Sequence, residues 1–273
     1  MPVNKDPSGR RWVEVEAEVP GTPEQVWKAI ATGPGISAWF VPSRVEEREG
    51  GLATSNFGPG MESVAKITAW DSPRRMVMES QDLGPDAPSV ASEWTVEARS
   101  GGTCVVRVVH SLFTDSEDWD NQLGGWESGW PSFFRILRLY LQHFPGQPSA
   151  AFQLGGIGPG SRAEAWATLT QALGMAGAGV GEQVSSAPGV PPLAGQVVRA
   201  GEEAYPEELL LLLDEPAPGT AHLFAMEMGG QVYLSFRIYL YGEEAAAAVA
   251  RDEPRWQVWM GERFPMGGAV YEC

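Results

Sequence analysis

The stretch from Asp120 to Phe144 sets the strongest limit on the fold of this chain. Its large apolar side chains recur at steps of three and four residues, which places them on one broad face of an α-helix. Pro131 is predicted to lie in the first turn, where its missing N–H costs nothing, and Pro145 is predicted to stop the helix. Such an aromatic helix needs a large concave partner. The face consists of Trp126, Trp130, Phe133, Phe134, Leu137, Leu141 and Phe144.

The segments before this helix predict a sheet that can supply the concave partner. Residues 13–19 alternate apolar and acidic side chains, as a half-buried strand does. Thr22 and Gln25 then form a capping box for a short helix, and Gly101-Gly102 is a hairpin turn. Further strands, bounded by Gly, Pro, Asp or Ser, are predicted at 43–49, 52–57, 62–70, 74–80, 91–98 and 103–111.

The second half of the chain repeats the order of the first. Repeats of this length indicate two tandem domains rather than a solenoid. The domains are predicted at 1–147 and 150–273, the second being degenerate with shortened middle strands. Four segment pairs align in order: 152–169 with 13–30, 195–211 with 62–78, Gly229-Gly230 with Gly101-Gly102, and 259–265 with 139–145.

Composition excludes several classes of partner. The formal charge of −16 argues against nucleic acid and against anionic membrane surfaces. No apolar run approaches the length of a membrane span, so no membrane insertion is expected. Cys104 and Cys273 do not make a disulfide framework. A cytoplasmic, reducing setting is therefore expected for this acidic protein.

No metal and no cofactor are expected. His110, His143 and His222 lack the close spacing of metal ligands, and Cys104 has no CxxC partner. The glycine-rich segment 155–160 lacks the lysine of a phosphate-binding loop and aligns instead with a strand and turn.

Four sequence blocks within residues 11–145 resemble the START-like (SRPBCC) superfamily, in the branch related to the C-terminal domain of the Hsp90 ATPase activator. They are TPEQVWKAIATGPGISAWF, VAKITAWDSPRRMVME, EWTVEARSGGTCVVRVVHS and GWPSFFRILRLYL. The resemblance implies an α+β helix-grip fold, in which a curved antiparallel sheet wraps around a long C-terminal helix. The repeat predicts that this fold is present twice.

The resemblance also implies an apolar cavity between the sheet and the long helix. A hydrophobic small molecule is the expected ligand, since Trp and Met side chains offer large and adaptable contact area. The alternative is that these side chains simply fill the core. The candidate lining residues are Trp39, Phe40, Trp70, Met76, Met78, Trp94, His110, Trp126, Trp130, Phe133, Phe134 and Leu137.

Non-catalytic binding of that molecule, as a carrier or sensor, is the leading functional prediction. A protein-interaction module of the co-chaperone type, with a protein partner or a second copy forming a homodimer, stays open. An aromatase/cyclase-like enzyme is the third alternative. His110 is its candidate base, unless it is a hydrogen-bonded structural histidine. Arg107, on the opposite strand face, would need a carboxylate partner if buried.

Overall fold

The chain divides into two compact units, Met1–Gly146 and Gln147–Cys273. The computed structural model describes residues 3–58, 60–80, 88–114, 116–202 and 205–266, so Cys273 lies outside the described residues. Each unit combines an antiparallel sheet with a short helix after its first long strand and a long helix at its end. The predicted α+β helix-grip fold, present twice, is confirmed.

The first unit contains an eight-stranded antiparallel sheet in the order β1-β2-β8-β7-β6-β5-β4-β3. The long helix α3 packs against β2 and the face of the sheet beside it. The elements are β1 (Asn4–Lys5), β2 (Arg10–Pro20), α1 (Pro23–Ala31), α2 (Gly33–Ser37), β3 (Ser43–Val45), β4 (Leu52–Asn56), β5 (Glu62–Asp71), β6 (Arg75–Ser80), β7 (Val90–Arg99), β8 (Thr103–Phe113) and α3 (Asp120–His143).

The second unit has six strands in the order β10-β11-β12-β13-β14-β9, which is the first unit's order with fewer edge strands. The expectation of a degenerate second domain with shortened middle strands stays a prediction; within the described residues, β12 has 11 residues and its counterpart β6 has 6. The elements are β9 (Ser149–Gly158), α4 (Arg162–Leu173), β10 (Gln183–Ser185), β11 (Ala194–Glu202), β12 (Tyr205–Glu215), β13 (Gly219–Met228), β14 (Gln231–Tyr241) and α5 (Ala245–Arg263).

The first helix of each unit begins with the same capping device. Thr22 Oγ1 accepts a hydrogen bond from the Gln25 backbone N–H at 3.3 Å, and Gln25 Oε1 accepts one from the Thr22 N–H at 2.9 Å. Ser161 and Glu164 repeat both bonds, at 3.3 and 2.8 Å. The box satisfies N–H groups that have no partner inside a helix. The predicted capping box at Thr22 is confirmed.

Helix α3 begins earlier than the sequence suggested. It starts at Asp120, so Pro131 lies inside the helix and the prediction of a first-turn proline is wrong. The start is fixed from β2, where the buried Arg11 donates to Asp120 Oδ1 at 2.7 Å and to the Thr114 carbonyl at 3.2 Å. Charge-assisted bonds of this kind are stronger than neutral ones. These bonds stabilise the first turn of α3, whose glycine-rich sequence does not favour a helix.

The face of the second sheet that meets α4 and α5 is filled by apolar side chains. Trp256 of α5 packs on Phe236 of β14 with ring centroids 4.7 Å apart. The aliphatic residues around them are buried and interdigitate, as side chains in close-packed interiors do. They include Leu154, Leu169, Val197, Leu209, Leu211, Leu213, Leu223, Leu234 and Ile238.

None of the helices in the described ranges is long and apolar enough to cross a membrane.

Candidate functional site

An aromatic cluster lies between α3 and the concave face of the first sheet. Trp130 is its centre, with ring centroids 5.0 Å from Trp94, 5.1 Å from Phe40 and 5.6 Å from Phe134. The Phe40 and Phe134 rings stack on Trp130 and Trp94 meets it edge-to-face, and such pairs add stability beyond their buried area. The structure thus brings together eight of the predicted lining residues: Trp39, Phe40, Trp94, His110, Trp126, Trp130, Phe133 and Phe134.

Trp39 anchors the cluster to the first helix. Its indole Nε1–H donates to the Ala29 carbonyl at 2.9 Å. Its ring lies 6.4 Å from those of Trp94, Trp130 and Phe134. Because the polar atom is satisfied and the ring is buried, Trp39 is fixed in place.

His110 is held between a tryptophan and a serine. Trp130 Nε1 donates to His110 Nε2 at 2.7 Å, and His110 Nδ1 lies 2.8 Å from Ser92 Oγ. The Trp126 and Trp130 rings flank the imidazole at 5.2 and 5.7 Å. Burial lowers the pKa of His110 from 6.5 to about 4, because a desolvated imidazole disfavours its charged form. The imidazole is therefore neutral at neutral pH, with both nitrogens engaged.

A strip of small side chains continues the concave face beyond the aromatic cluster. The register places Ser43 opposite Ser55, Ser55 opposite Ser63, and Ala53 opposite Ala65. All five side chains keep part of their surface exposed. Alanine and serine side chains are short, and their partial exposure shows that this end of the face is not fully covered.

The strip and the aromatic cluster meet in one cross-strand row. Met78 pairs with Ser92, and Ser92 pairs with His110 on β8. All three are half-buried, whereas Met76 and Val108, one row further along, are buried. We call Ser43, Ala53, Ser55, Ser63, Ala65, Met78 and Ser92 the open strip.

The remaining predicted lining residues lie near the cluster but outside its ring contacts. Trp70 packs edge-to-face on Trp27 of α1, at 5.2 Å. Met76 lies between Trp70 and Trp94 in the sheet register and is buried. Leu137 is buried on α3. Their role as lining residues stays a prediction.

Two surface concavities lie on the first unit, and none of the predicted lining residues lines either of them. One, of about 580 Å³, lies beside Lys5 and Asp120 at the start of α3. The other, of about 440 Å³, lies between α2 and β3 and reaches Ser43 at the edge of the open strip. Both are open at the surface rather than enclosed.

Other candidate groups of the first unit are engaged elsewhere. Arg107 is on the outer face, where it pairs with Glu14 and Glu16 at 3.2 Å. Burial raises the pKa of the Cys104 thiol. Within the part of the chain that the structure describes, no group of three His, Cys, Asp or Glu side chains could hold a metal ion.

Sequence reasoning missed a polar cluster in the second unit. The buried Glu208 accepts from Arg199 Nε at 2.8 Å and lies 2.8 Å from His222 Nε2. These residues lie on the sheet face away from α4 and α5. With each carboxylate oxygen held by a basic group, Glu208 is a fixed acceptor and not a free acid. Three residues from three different strands carry no shared sequence signal.

Comparison with known families matches the first unit. Residues 20–142 match the model of the family "Activator of Hsp90 ATPase homolog 1-like protein". The predicted resemblance is confirmed. The match spans β3–β8, α1, α2 and most of α3, and so includes the aromatic cluster and the open strip.

Several solved structures are similar to this chain at low sequence identity. The di-domain ARO/CYC BexL of the BE-7585A biosynthetic pathway is 16% identical, with 94% of this chain and 96% of that chain covered and a TM-score of 0.44. MLL2253 from Mesorhizobium loti is 22% identical, covering 49% and 98% with a TM-score of 0.44. The Aha1 dimer from Colwellia psychrerythraea is 16% identical, covering 48% and 96% with a TM-score of 0.41. No curated protein matches the sequence.

Proposed function

We propose that the first unit binds a flat, largely apolar small molecule on its concave face, with the ligand lying on the open strip against the aromatic cluster. The observation that carries this proposal is the contrast along one face. One end is packed with rings, and the other bears mainly Ala and Ser side chains, with Met78, that remain partly exposed. Apolar concave surfaces with a few polar groups are typical of ligand sites.

The geometry of His110 favours binding over catalysis. An aromatase/cyclase-like reaction needs a group that exchanges a proton with the substrate. His110 Nε2 already accepts from Trp130, and Nδ1 is engaged with Ser92. Its neutral, doubly bonded imidazole supports a positioning role within a binding site. We therefore propose that the protein acts in the cytoplasm as a carrier or sensor of this molecule.

Native mass spectrometry of the purified chain with organic extraction, followed by calorimetric titration with fluorene, tests the proposal. We expect fluorene to bind, and Ala65→Phe, which fills the open strip, to weaken that binding at least about tenfold, a loss of about 1.4 kcal/mol. Val64→Phe is the matched control, because Val64 lies on the exposed opposite face of the same strand. Equal affinity in the two variants, or no binding by a folded wild-type chain, contradicts the proposal.

A protein-interaction module is the second candidate, because one hairpin exposes several apolar side chains. Leu52 and Val64 lie on the outer face of β4 and β5 and are 46 and 47% exposed, whereas Phe57, at the turn between these strands, is 47% exposed and packs on Phe40 at 5.7 Å. Neighbouring exposed apolar side chains such as Leu52 and Val64 are a feature of interaction surfaces. Self-association is measured by sedimentation at rising concentration. Its loss in Val64→Glu, with fluorene affinity unchanged, would support this second function.

A further inference from the structure

Trp130 fixes the direction of a hydrogen-bond chain. An indole Nε1–H can donate but cannot accept. Its partner at 2.7 Å, His110 Nε2, must therefore present a lone pair. In a neutral imidazole, the proton then sits on the other nitrogen, Nδ1.

Ser92 accepts the hydrogen bond that the His110 Nδ1–H donates. His110 Nδ1–H points to Ser92 Oγ at 2.8 Å, so the serine oxygen is the acceptor. The hydroxyl hydrogen of Ser92 is left to donate elsewhere. Among the residues that the structure describes, Ser92 Oγ forms no hydrogen bond other than the one with His110.

Ser92 differs in this respect from the serine at the far end of the open strip. Ser43 Oγ donates to the Val41 carbonyl at 2.9 Å and lies 3.1 Å from Ser55 Oγ, so its hydroxyl is used within the protein. Ser92 is half-buried between Met78 and His110 in the register. Its donor is therefore directed into the apolar part of the open strip.

The surroundings select a neutral acceptor. The neighbouring carboxylates of β6 and β7, Glu79 and Glu93, lie on the opposite face, and Glu93 accepts from Arg75 there at 2.6 Å. Near Ser92, the concave face presents Met78, Ile67 and aromatic rings rather than a cation. A carboxylate would lose its hydration there without a charged partner, whereas a carbonyl or ether oxygen would lose little.

We propose that Ser92 is a specificity-determining residue that donates a hydrogen bond to a carbonyl or ether oxygen of the ligand, with Trp130 and His110 acting as positioning residues. The proposal rests on the proposed function and names its ligand class, a flat apolar molecule with a neutral acceptor oxygen. Such a hydrogen bond corresponds to about a 3- to 10-fold difference in affinity.

The test compares fluorenone with fluorene, two rings of one shape that differ by a carbonyl oxygen. The quantity measured is the ratio of the fluorene Kd to the fluorenone Kd, obtained by calorimetry on the full chain. We expect Ser92→Thr to keep the wild-type ratio and Ser92→Val to lower it about 3- to 10-fold. Thr and Val have nearly the same shape, so the pair isolates the hydroxyl.

Trp130→Phe tests the directional chain itself. Without the indole donor, His110 can move its proton to Nε2 and accept from Ser92, so the carbonyl preference should fall although Ser92 is intact. If both probes bind and the ratio of the fluorene Kd to the fluorenone Kd is the same in Ser92→Thr and Ser92→Val, this inference is overturned. The proposed function would then still stand. Binding of fluorene without binding of fluorenone overturns the inference alone, and failure of both probes to bind the wild-type chain overturns the inference and the proposed function.

Discussion

The two units have the same strand order but use the concave face of the sheet differently. In the second unit that face is filled by buried aliphatic side chains and Phe236 under α4 and α5. In the first unit aromatic rings fill one end, and the open strip, which is mostly Ala and Ser, leaves the other partly uncovered. The shared fold therefore does not determine whether this face of the sheet is filled. The size of the side chains at a few alternating strand positions determines it.

The two units also differ in whether their buried indole N–H groups have hydrogen-bond partners. In the first unit, the Trp39 and Trp130 N–H groups each have a partner, the Ala29 carbonyl and His110. Trp256 and Trp259 of α5 bury theirs without a hydrogen-bond acceptor in the described ranges. A buried donor without a partner costs about 1–3 kcal/mol. Trp256 and Trp259 thus contribute volume, whereas Trp39 and Trp130 also contribute directed hydrogen bonds.

Truncation in the filled face should give the largest effect. Phe236→Ala is expected to lower the free energy of unfolding by about 3–5 kcal/mol, since it removes a buried ring and leaves a cavity. Ser55→Ala in the open strip should change stability by less than about 0.5 kcal/mol. Hydrogen exchange of peptides from each unit measures both. Similar losses at the two positions would contradict the contrast between the units.

Acidification should have the second-largest effect, a loss of stability of the first unit that depends on His110. His110 has a folded pKa of about 4, below its ordinary value of 6.5, so the unfolded chain binds more protons between these values. The stability of the first unit should therefore fall as pH drops from 6.5 to 4, by at most about 1.4 kcal/mol per pH unit from this group. Urea unfolding of wild type and His110→Gln across this range measures the effect. An unchanged pH dependence in the variant would show that His110 does not contribute.

Enlargement of a concave-face alanine should give the smallest of the three effects. Ala221 is fully buried in the second sheet, so Ala221→Leu should cost about 1–3 kcal/mol through overpacking. Ala65→Leu in the open strip should cost less than about 0.5 kcal/mol because space is available there. Thermal unfolding gives the two values. A large loss for Ala65→Leu would mean that the strip is covered.

Much of the fold could be predicted from local signals. The Thr22 capping box and the Gly101-Gly102 turn depend on neighbouring residues, and both are found where predicted. The start of α3 could not be read the same way, because it depends on Arg11 binding Asp120 from more than 100 residues away. Pro131 alone pointed to the wrong helix start.

The candidate site was predictable only in part, because its geometry depends on register. The rings that join in the cluster were identified by spacing on α3 and by residue type. A register shift between Ile67 and Ala69 places Trp70 in the row of Met76, where it meets Trp27 instead of Trp130. Ser92 carries no sequence signal, since only the pairing of β7 with β8 places it beside His110.

The composition of the N-terminal half of α3 has a kinetic consequence. Gly124, Gly125 and Gly129 have open space where a side chain would sit, so packing does not require glycine there. Each lowers helix stability by about 0.5–1 kcal/mol relative to alanine. We therefore expect this half to open locally far more often than the unit unfolds. A ligand that enters by this route would associate at a rate that levels off with its concentration, and the plateau would fall when the glycines are replaced by alanine.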